Sequence, residues 1–333
     1  METNLRPLSL VEILDRTAQL YRANFVLLAG IAAIYSGVLL VLNLAQIGVA
    51  ELLRAHNMIH QAKLVPFYSL VFILPMAFIF AGAAIAANNR AVAWINLGEP
   101  ATIRGAYQSI LPRIGRYLWL MTIATFICYL PFVLIYGSFF LLIVLTVGIN
   151  GTIAPAGAQS NPYSAILVGI ASVVLLLLSF PAVVYAIWMA LRYSLAVPAS
   201  VVENLKARQA LRRSVELTRG SRGRIFVLGL LIAVIQIGLV LFTQIFFIVM
   251  AIKQHGQLPA WAQATQQVIG FFTNTFVGPM WATGFTLFYY DQRVRKEGFD
   301  IEWMMQAAGL KVPAPLAEPE PPSALQDPGG AHE

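Results

Sequence analysis

The sequence predicts an all-α fold: a polytopic membrane helix bundle of six transmembrane helices, with short amphipathic helices on the cytoplasmic interface. Three observations predict it. Apolar residues fill 59% of the 333 positions and charged residues only 11%, with a mean hydropathy of +0.73, outside the range of soluble globular chains. Six runs contain no Asp, Glu, Lys, Arg or His, and each can cross a hydrocarbon core that about 20 helical residues span. Lys and Arg are dense in every second segment between those runs and sparse in the others.

In chain order the runs are about 25–49, 67–87, 117–147, 163–191, 225–252 and 268–290. Residues 1–24 are polar, carry Glu2, Glu12 and Asp15, and lack a short apolar core with a small-residue cleavage site, so the first run is expected to stay in the protein. The third run, at 31 residues, exceeds what one untilted helix needs. Tilt, a break near Pro131 and a partial exit from lipid all accommodate it. Pro75, Pro131, Pro181 and Pro279 either interrupt spans and free carbonyls for a substrate, or kink packed helices. Asn43, Gln46, Gln236, Gln244 and Asn274 either line a path or hydrogen-bond between helices, and the spacing of Gly82 and Ala86 favours close helix contact. Trp94, Trp188, Tyr193, Tyr289 and Tyr290 sit at run ends, as an interfacial aromatic belt would. After residue 311 come six prolines in 22 residues with four acids and no Lys or Arg. Such a stretch cannot bury a core, so 309–333 is expected to be a disordered cytoplasmic tail beside a membrane domain over 1–308.

Orientation follows from the basic residues. The N-terminal segment holds 3 Lys and Arg, 88–116 holds 4, 192–224 holds 8 and the C-terminal segment 4, against 2, 0 and 1 in the alternate segments. Anionic lipid and the insertion machinery retain positive charge inside, which places both termini in the cytoplasm of a bacterial-type cell, in its inner membrane. An odd number of spans would put the two basic ends on opposite sides.

The basic segments also resemble one another. Ile13 to Arg22 reads ILDRTAQLYR and Ala210 to Arg219 reads ALRRSVELTR, each leading into an apolar run. Gly105 to Arg116, GAYQSILPRIGR, is a weaker copy interrupted by Pro112. The pattern predicts three units, each a short interfacial helix followed by a hairpin of spans, although any basic linker between spans has a similar composition. In the first unit Leu10, Ile13, Leu14, Thr17, Leu20 and Tyr21 share a face, and Ser9 and Glu12 form a capping box. In the second strong copy Ala207, Ala210, Leu211, Ser214 and Thr218 share a face. Arg16, Arg22, Arg113, Arg116, Arg212, Arg213 and Arg219 are then the candidate contacts for membrane lipids, anionic ones above all, or for a protein partner.

The strings LRPLSLVEILDRTAQLYRANFVLL, ALRRSVELTRG and FTLFYYDQRVRKEGFDIEWM resemble the bacterial glycerophosphoryl diester phosphodiesterase membrane-domain family, over nearly the whole chain to about residue 308. Members of that family attach this region to a separate phosphodiesterase barrel, and no barrel fits here. The resemblance therefore implies a fold and a location but no catalytic residue.

A direct reading for chemistry agrees. The histidines are His56, His60, His255 and His332; only His56 and His60, with Glu51 a turn earlier, are spaced like metal ligands, and the third and fourth ligands are missing. No nucleophile elbow, phosphate-binding loop or dinucleotide fingerprint is present. The lone Cys128 cannot form an internal disulfide. Nucleic-acid binding would need a basic face on a soluble domain, whereas the net charge of +7 is spread between apolar runs. The expectation is a protein without catalytic activity, cofactor or metal, acting by membrane organisation, lipid interaction or partner binding. The alternatives are a carrier or channel for a lipid-like or neutral solute, and the membrane anchor of a phosphodiesterase-type enzyme.

Overall fold

A computed structural model of the chain describes residues 6–153, 162–254 and 258–307; the predicted tail, 309–333, and His255 and His332 lie outside them. Among the described residues there are helices and no strands. The long helices are α2 (Phe25–Ala55), α3 (Ile59–Asn96), α5 (Ile114–Ile153), α6 (Pro162–Tyr193), α9 (Arg222–Lys253) and α10 (Ala260–Glu297). The short ones are α1 (Leu10–Ala23), α4 (Ile103–Ile110), α7 (Ala196–Val202), α8 (Ala207–Thr218) and α11 (Phe299–Ala307). A short helix stands immediately before each pair of long ones: α1 before α2 and α3, α4 before α5 and α6, α8 before α9 and α10.

Five helical stretches, carried by α2, α3, α5, α6 and α9, are long and apolar enough to cross a membrane. The sixth run predicted from the sequence, 268–290, falls inside α10, which is 38 residues long but less apolar. Its middle carries Thr273, Asn274, Thr275, Gly278 and Pro279. The reason lies in its surroundings: α10 packs on α2, α3, α9 and α1, so protein covers much of it and less of its surface has to suit lipid.

Pro131 does not break the third run. α5 is one helix of 40 residues, and α3, α6 and α10 likewise continue through Pro66 and Pro75, Pro181 and Pro279. In an apolar surround an interrupted helix leaves more backbone groups unsatisfied than the single bond a proline removes, so continuity is favoured.

The core sits at one end of the bundle, where the short helices are. Ile13 and Leu20 of α1, Leu28 and Ile31 of α2, Tyr117 of α5 and Phe288 of α10 belong to one buried cluster there. Towards the other end the long helices expose large apolar side chains such as Phe72, Phe140, Leu176, Phe180 and Phe242. The most apolar stretch of the segment containing α5 has no buried residue, and α5 and α6 pair mainly with each other. A surface this greasy fits hydrocarbon and not water.

Small and polar residues set the helix contacts. A Cβ on Gly82 would lie 2.6 Å from Leu118 Cδ2, so glycine lets α3 and α5 approach. Gln236 accepts from Trp281 Nε1 at 2.8 Å and Gln244 from Gln266 at 2.7 Å, joining α9 to α10; Asn43 instead donates to Leu39 of its own helix. Thr286 donates to Asn89 Oδ1 at 2.7 Å between α10 and α3, both side chains being buried. Thr286→Val is expected to lower stability by about 1 kcal/mol, the scale of hydrogen bonds between membrane helices. A denaturation midpoint in detergent that does not move would show the bond contributes nothing.

Candidate interfacial site at the basic end of the bundle

Residues 7–9 and the start of α1 form the first wall. Ser9 caps α1: its hydroxyl accepts from the Glu12 amide at 3.2 Å and Glu12 Oε2 accepts from the Ser9 amide at 2.6 Å. The Ser9 backbone and side-chain hydrogen bonds hold the Glu12 carboxyl below its usual range. Ile13, Thr17 and Leu20 are buried, with Leu10, Leu14 and Tyr21 beside them, so the face predicted for α1 is the face that packs. It packs chiefly on α10, and Tyr21 donates to the Phe276 carbonyl of that helix.

Leu8 is held at both of its backbone polar groups. Its N–H donates to Asp291 Oδ1 at 2.8 Å, and its carbonyl accepts from Arg224 at 2.8 Å and Arg295 at 2.5 Å. The Asp291 side chain is fully buried. It takes both oxygens to Arg295 Nε at 3.0 Å, accepts from Gln292 at 3.0 Å and lies 3.3 Å from Arg224. One carboxylate therefore joins the start of the chain to α9 and α10.

A second carboxylate, Glu203 after α7, accepts from Arg213 Nε through both oxygens at 3.0 Å and from the Tyr289 hydroxyl at 2.6 Å. Arg213 also reaches Glu297 at 2.6 Å, and Arg293 pairs with the same glutamate at 3.0 Å. Burial alone would depress the Arg213 pKa, but the hydrogen bonds it donates to Glu297 and Glu203 outweigh it and raise it, keeping the guanidinium charged. Ala207, Ala210, Leu211, Ser214 and Thr218 of α8, placed on one face by their spacing, are buried within the protein together with Leu217. The last carbonyls of α8 are closed by Lys296 Nζ, which donates to Glu216, Leu217 and Arg219 at 2.8–3.0 Å.

A third junction joins the turn before α8 to the turn before α5. Asn204 sits at φ 59°, a left-handed conformation that asparagine tolerates. Its side-chain oxygen accepts from Arg113 at 2.6 Å and Arg116 at 2.7 Å, and its carbonyl accepts from Arg116 at 2.9 Å. The predicted interruption at Pro112 is a single 3-10 turn, Leu111–Arg113, that bends the chain from α4 into α5.

The seven candidate arginines thus divide. Arg16 donates to Asn96 at 3.2 Å, Arg113 and Arg116 hold Asn204, and Arg213 is shared by two glutamates, so these four tie the protein to itself. Arg22, Arg212 and Arg219 are exposed and make no side-chain hydrogen bond or ion pair among the described residues. Arg104 and Arg208 are exposed in the same way. The aromatic belt needs a correction: Tyr289 and Tyr290 are buried in the core and cannot face an interface, because α10 turns that side towards α3, α7 and α8. Trp188 is half exposed, with Arg222 stacked 4.7 Å from its ring centre. At the opposite end His56 Nδ1 lies 2.9 Å from the Leu52 carbonyl of its own helix, and no group of three or more metal-ligating side chains occurs among the described residues.

Sequence reading missed Asp291, Glu203, Glu297 and Asn204. For Glu203 the available signal was a carboxylate in a segment holding 8 Lys and Arg, whereas Asp291 and Glu297 sit in a stretch of mixed charge with Arg293, Arg295 and Lys296. The three strings behind the family resemblance meet here: Leu8 of the first bonds Asp291 of the third, and Arg213 of the second bonds Glu297 of the third. The fold and this site define an all-helical protein with several membrane-length apolar helices, closed at one end by an ion-paired collar of short helices. Compared with protein-family models, curated proteins and solved structures, the chain matches none.

Proposed function

We propose that this is a six-span, non-catalytic protein of a bacterial inner membrane that gathers anionic lipid around its cytoplasmic end. In this reading α10 is the sixth span, both termini are cytoplasmic, and the collar lies at the headgroup level. The carrying observation is that Arg22, Arg212 and Arg219 stand exposed on or beside the short helices, at the end where the apolar surface gives way to charge. A guanidinium there reaches lipid phosphates while its stem stays on apolar surface. The placement of the three resembling strings in one cluster is compatible with membership of the phosphodiesterase membrane-domain family, in which case a soluble enzyme is the partner to seek by co-purification.

The test separates exposed arginines from structural ones. Replacing Arg22, Arg212 and Arg219 together by Gln is expected to reduce the preference for phosphatidylglycerol over phosphatidylcholine by at least about tenfold, since each basic group near a charged surface contributes about 1 kcal/mol. The preference is read from lipids retained on the purified protein, and it should weaken with salt. Stability should hardly change. An unaltered lipid preference in the triple variant rules the reading out.

A further inference from the structure

Two arginines at the basic end of the bundle belong to none of its carboxylate networks. Arg192, near the end of α6, and Arg222, the first residue of α9, make no hydrogen bond or ion pair through their guanidinium groups among the described residues. Both side chains are partly buried. The Nε of each is shut away without a partner, while the Nη nitrogens keep contact with the surface. The carboxylates of the collar are already taken: Asp291 by Arg224 and Arg295, Glu203 by Arg213, and Glu297 by Arg213 and Arg293. Glu216, the one carboxylate of α8, faces Arg213 at 3.9 Å.

The turn from α8 into α9 brings the two cations to the same stretch of α6. Ser214 and Thr218 of α8 donate to the Arg192 carbonyl at 2.9 and 3.4 Å. Four residues beyond Thr218, the Arg222 guanidinium lies 4.7 Å from the ring centre of Trp188, one turn before Arg192 on α6. Arg192 stands on this turn and Arg222 reaches it, so both bear on about 5.4 Å of helix. Trp188 is 52% exposed, and one turn further from the collar on each helix Val184 and Phe226 are exposed too. Both helices are long and apolar enough to cross a membrane, and they pack on each other. The corner therefore offers positive charge at its rim and apolar surface directly beyond it.

An aromatic face steadies a guanidinium but supplies no counter-charge. Two uncompensated guanidinium groups are answered by an anion with several acceptor oxygens, and a phosphate fits their forked donors. A soluble anion would leave Trp188, Val184 and Phe226 uncovered. A phosphate that carries acyl chains covers them as well, as in basic pockets between membrane helices.

We infer that α6 and α9 hold one anionic glycerophospholipid at this corner, its phosphate on Arg192 and Arg222, its glycerol against Trp188 and its acyl chains running past Val184 and Phe226. This deepens the lipid-gathering reading and rests on its placement of the collar at headgroup level. Arg22, Arg212 and Arg219 attract anionic lipid in general, whereas this corner retains a single molecule.

In the experiment the full chain, stripped of lipid in a neutral detergent, is titrated with phosphatidylglycerol, and bound copies are counted by native mass spectrometry. The first copy is expected to bind at least about tenfold more tightly than later ones, the factor for one charge-assisted hydrogen bond. Phosphatidylcholine should show no such gap. Replacing Arg192 and Arg222 together by Gln should close the gap. Trp188→Leu, at a half-exposed position, should narrow it about threefold by removing the platform of Arg222, and it keeps the test open if the double variant does not fold. Replacing Arg22, Arg212 and Arg219 by Gln should weaken the later copies and leave the gap, so failure of the broader reading and failure of this one appear in different binding events. Glycerol phosphate, at the concentration where the lipid saturates, should not displace the first copy. A first copy no tighter than the rest, a gap that survives in both variants, or displacement by glycerol phosphate, which would make the corner a site for a soluble anion, would each overturn the inference.

Discussion

Replacing Asp291 with Ala is expected to cost about 3–5 kcal/mol, the largest loss of any single polar substitution in this chain. The buried carboxylate answers Arg224, both bonds from Arg295 Nε, and the Leu8 amide. Removing it leaves two guanidinium groups facing each other across a space with no counter-charge. The denaturation midpoint in mild detergent measures the loss. Amide exchange adds a local readout, because residues 8–20 should exchange faster once Leu8 is released. Arg295→Gln is the graded control: its side chain is 37% exposed and Arg224 remains, so its effect should be clearly smaller. Were Asp291→Ala to unfold at the parental midpoint, the carboxylate could not be what holds the collar to α10.

The second large effect is at Glu203. Glu203→Ala should cost about 2–3 kcal/mol, because Arg213 loses a two-oxygen partner and the buried Tyr289 hydroxyl loses its acceptor. The loss stays below that at Asp291 because Glu297 continues to hold Arg213. Glu203→Gln keeps an acceptor for Tyr289 but no charge for Arg213, so it should fall between Ala and the parent. Combining Glu203→Ala with Arg213→Ala should be markedly less than additive, which identifies the pair as the source of the effect. Strict additivity would mean that the two residues act independently, against the geometry.

Much of this fold can be read along the chain, because its determinants are local. The Ser9 and Glu12 capping box, the buried face of α1 and the buried face of α8 follow from spacing within a dozen residues. The apolar runs follow from the absence of charge. What spacing does not reveal is direction over long range. Arg213 and Arg219 are alike as sequence, both basic, both on or beside α8, yet the first turns to Glu297 84 positions away while the second stays exposed. Nothing local marks that choice, since it depends on which helix end arrives opposite. α10 was legible only in part for the same reason: a helix wrapped by protein escapes the demand for apolar surface that makes its neighbours recognisable. Asn88 and Asn89 make the point at closest range: the Asn89 oxygen is satisfied by Thr286 and the Asn88 oxygen is buried without a partner, with no difference between them in type or setting along the chain.

The bond between Leu8 and Asp291 joins positions 283 residues apart. At the usual pace of translation, roughly 5–20 residues per second, the first of these leaves the ribosome about 15–60 s before its mate exists. Through that interval α1 lacks its main partner, α10, and waits beside the growing bundle. Closure between Leu8 and Asp291 therefore comes late: a polypeptide that stalls before Asp291 is left with the apolar face of α1 undocked, the kind of feature by which proteases recognise unfinished work.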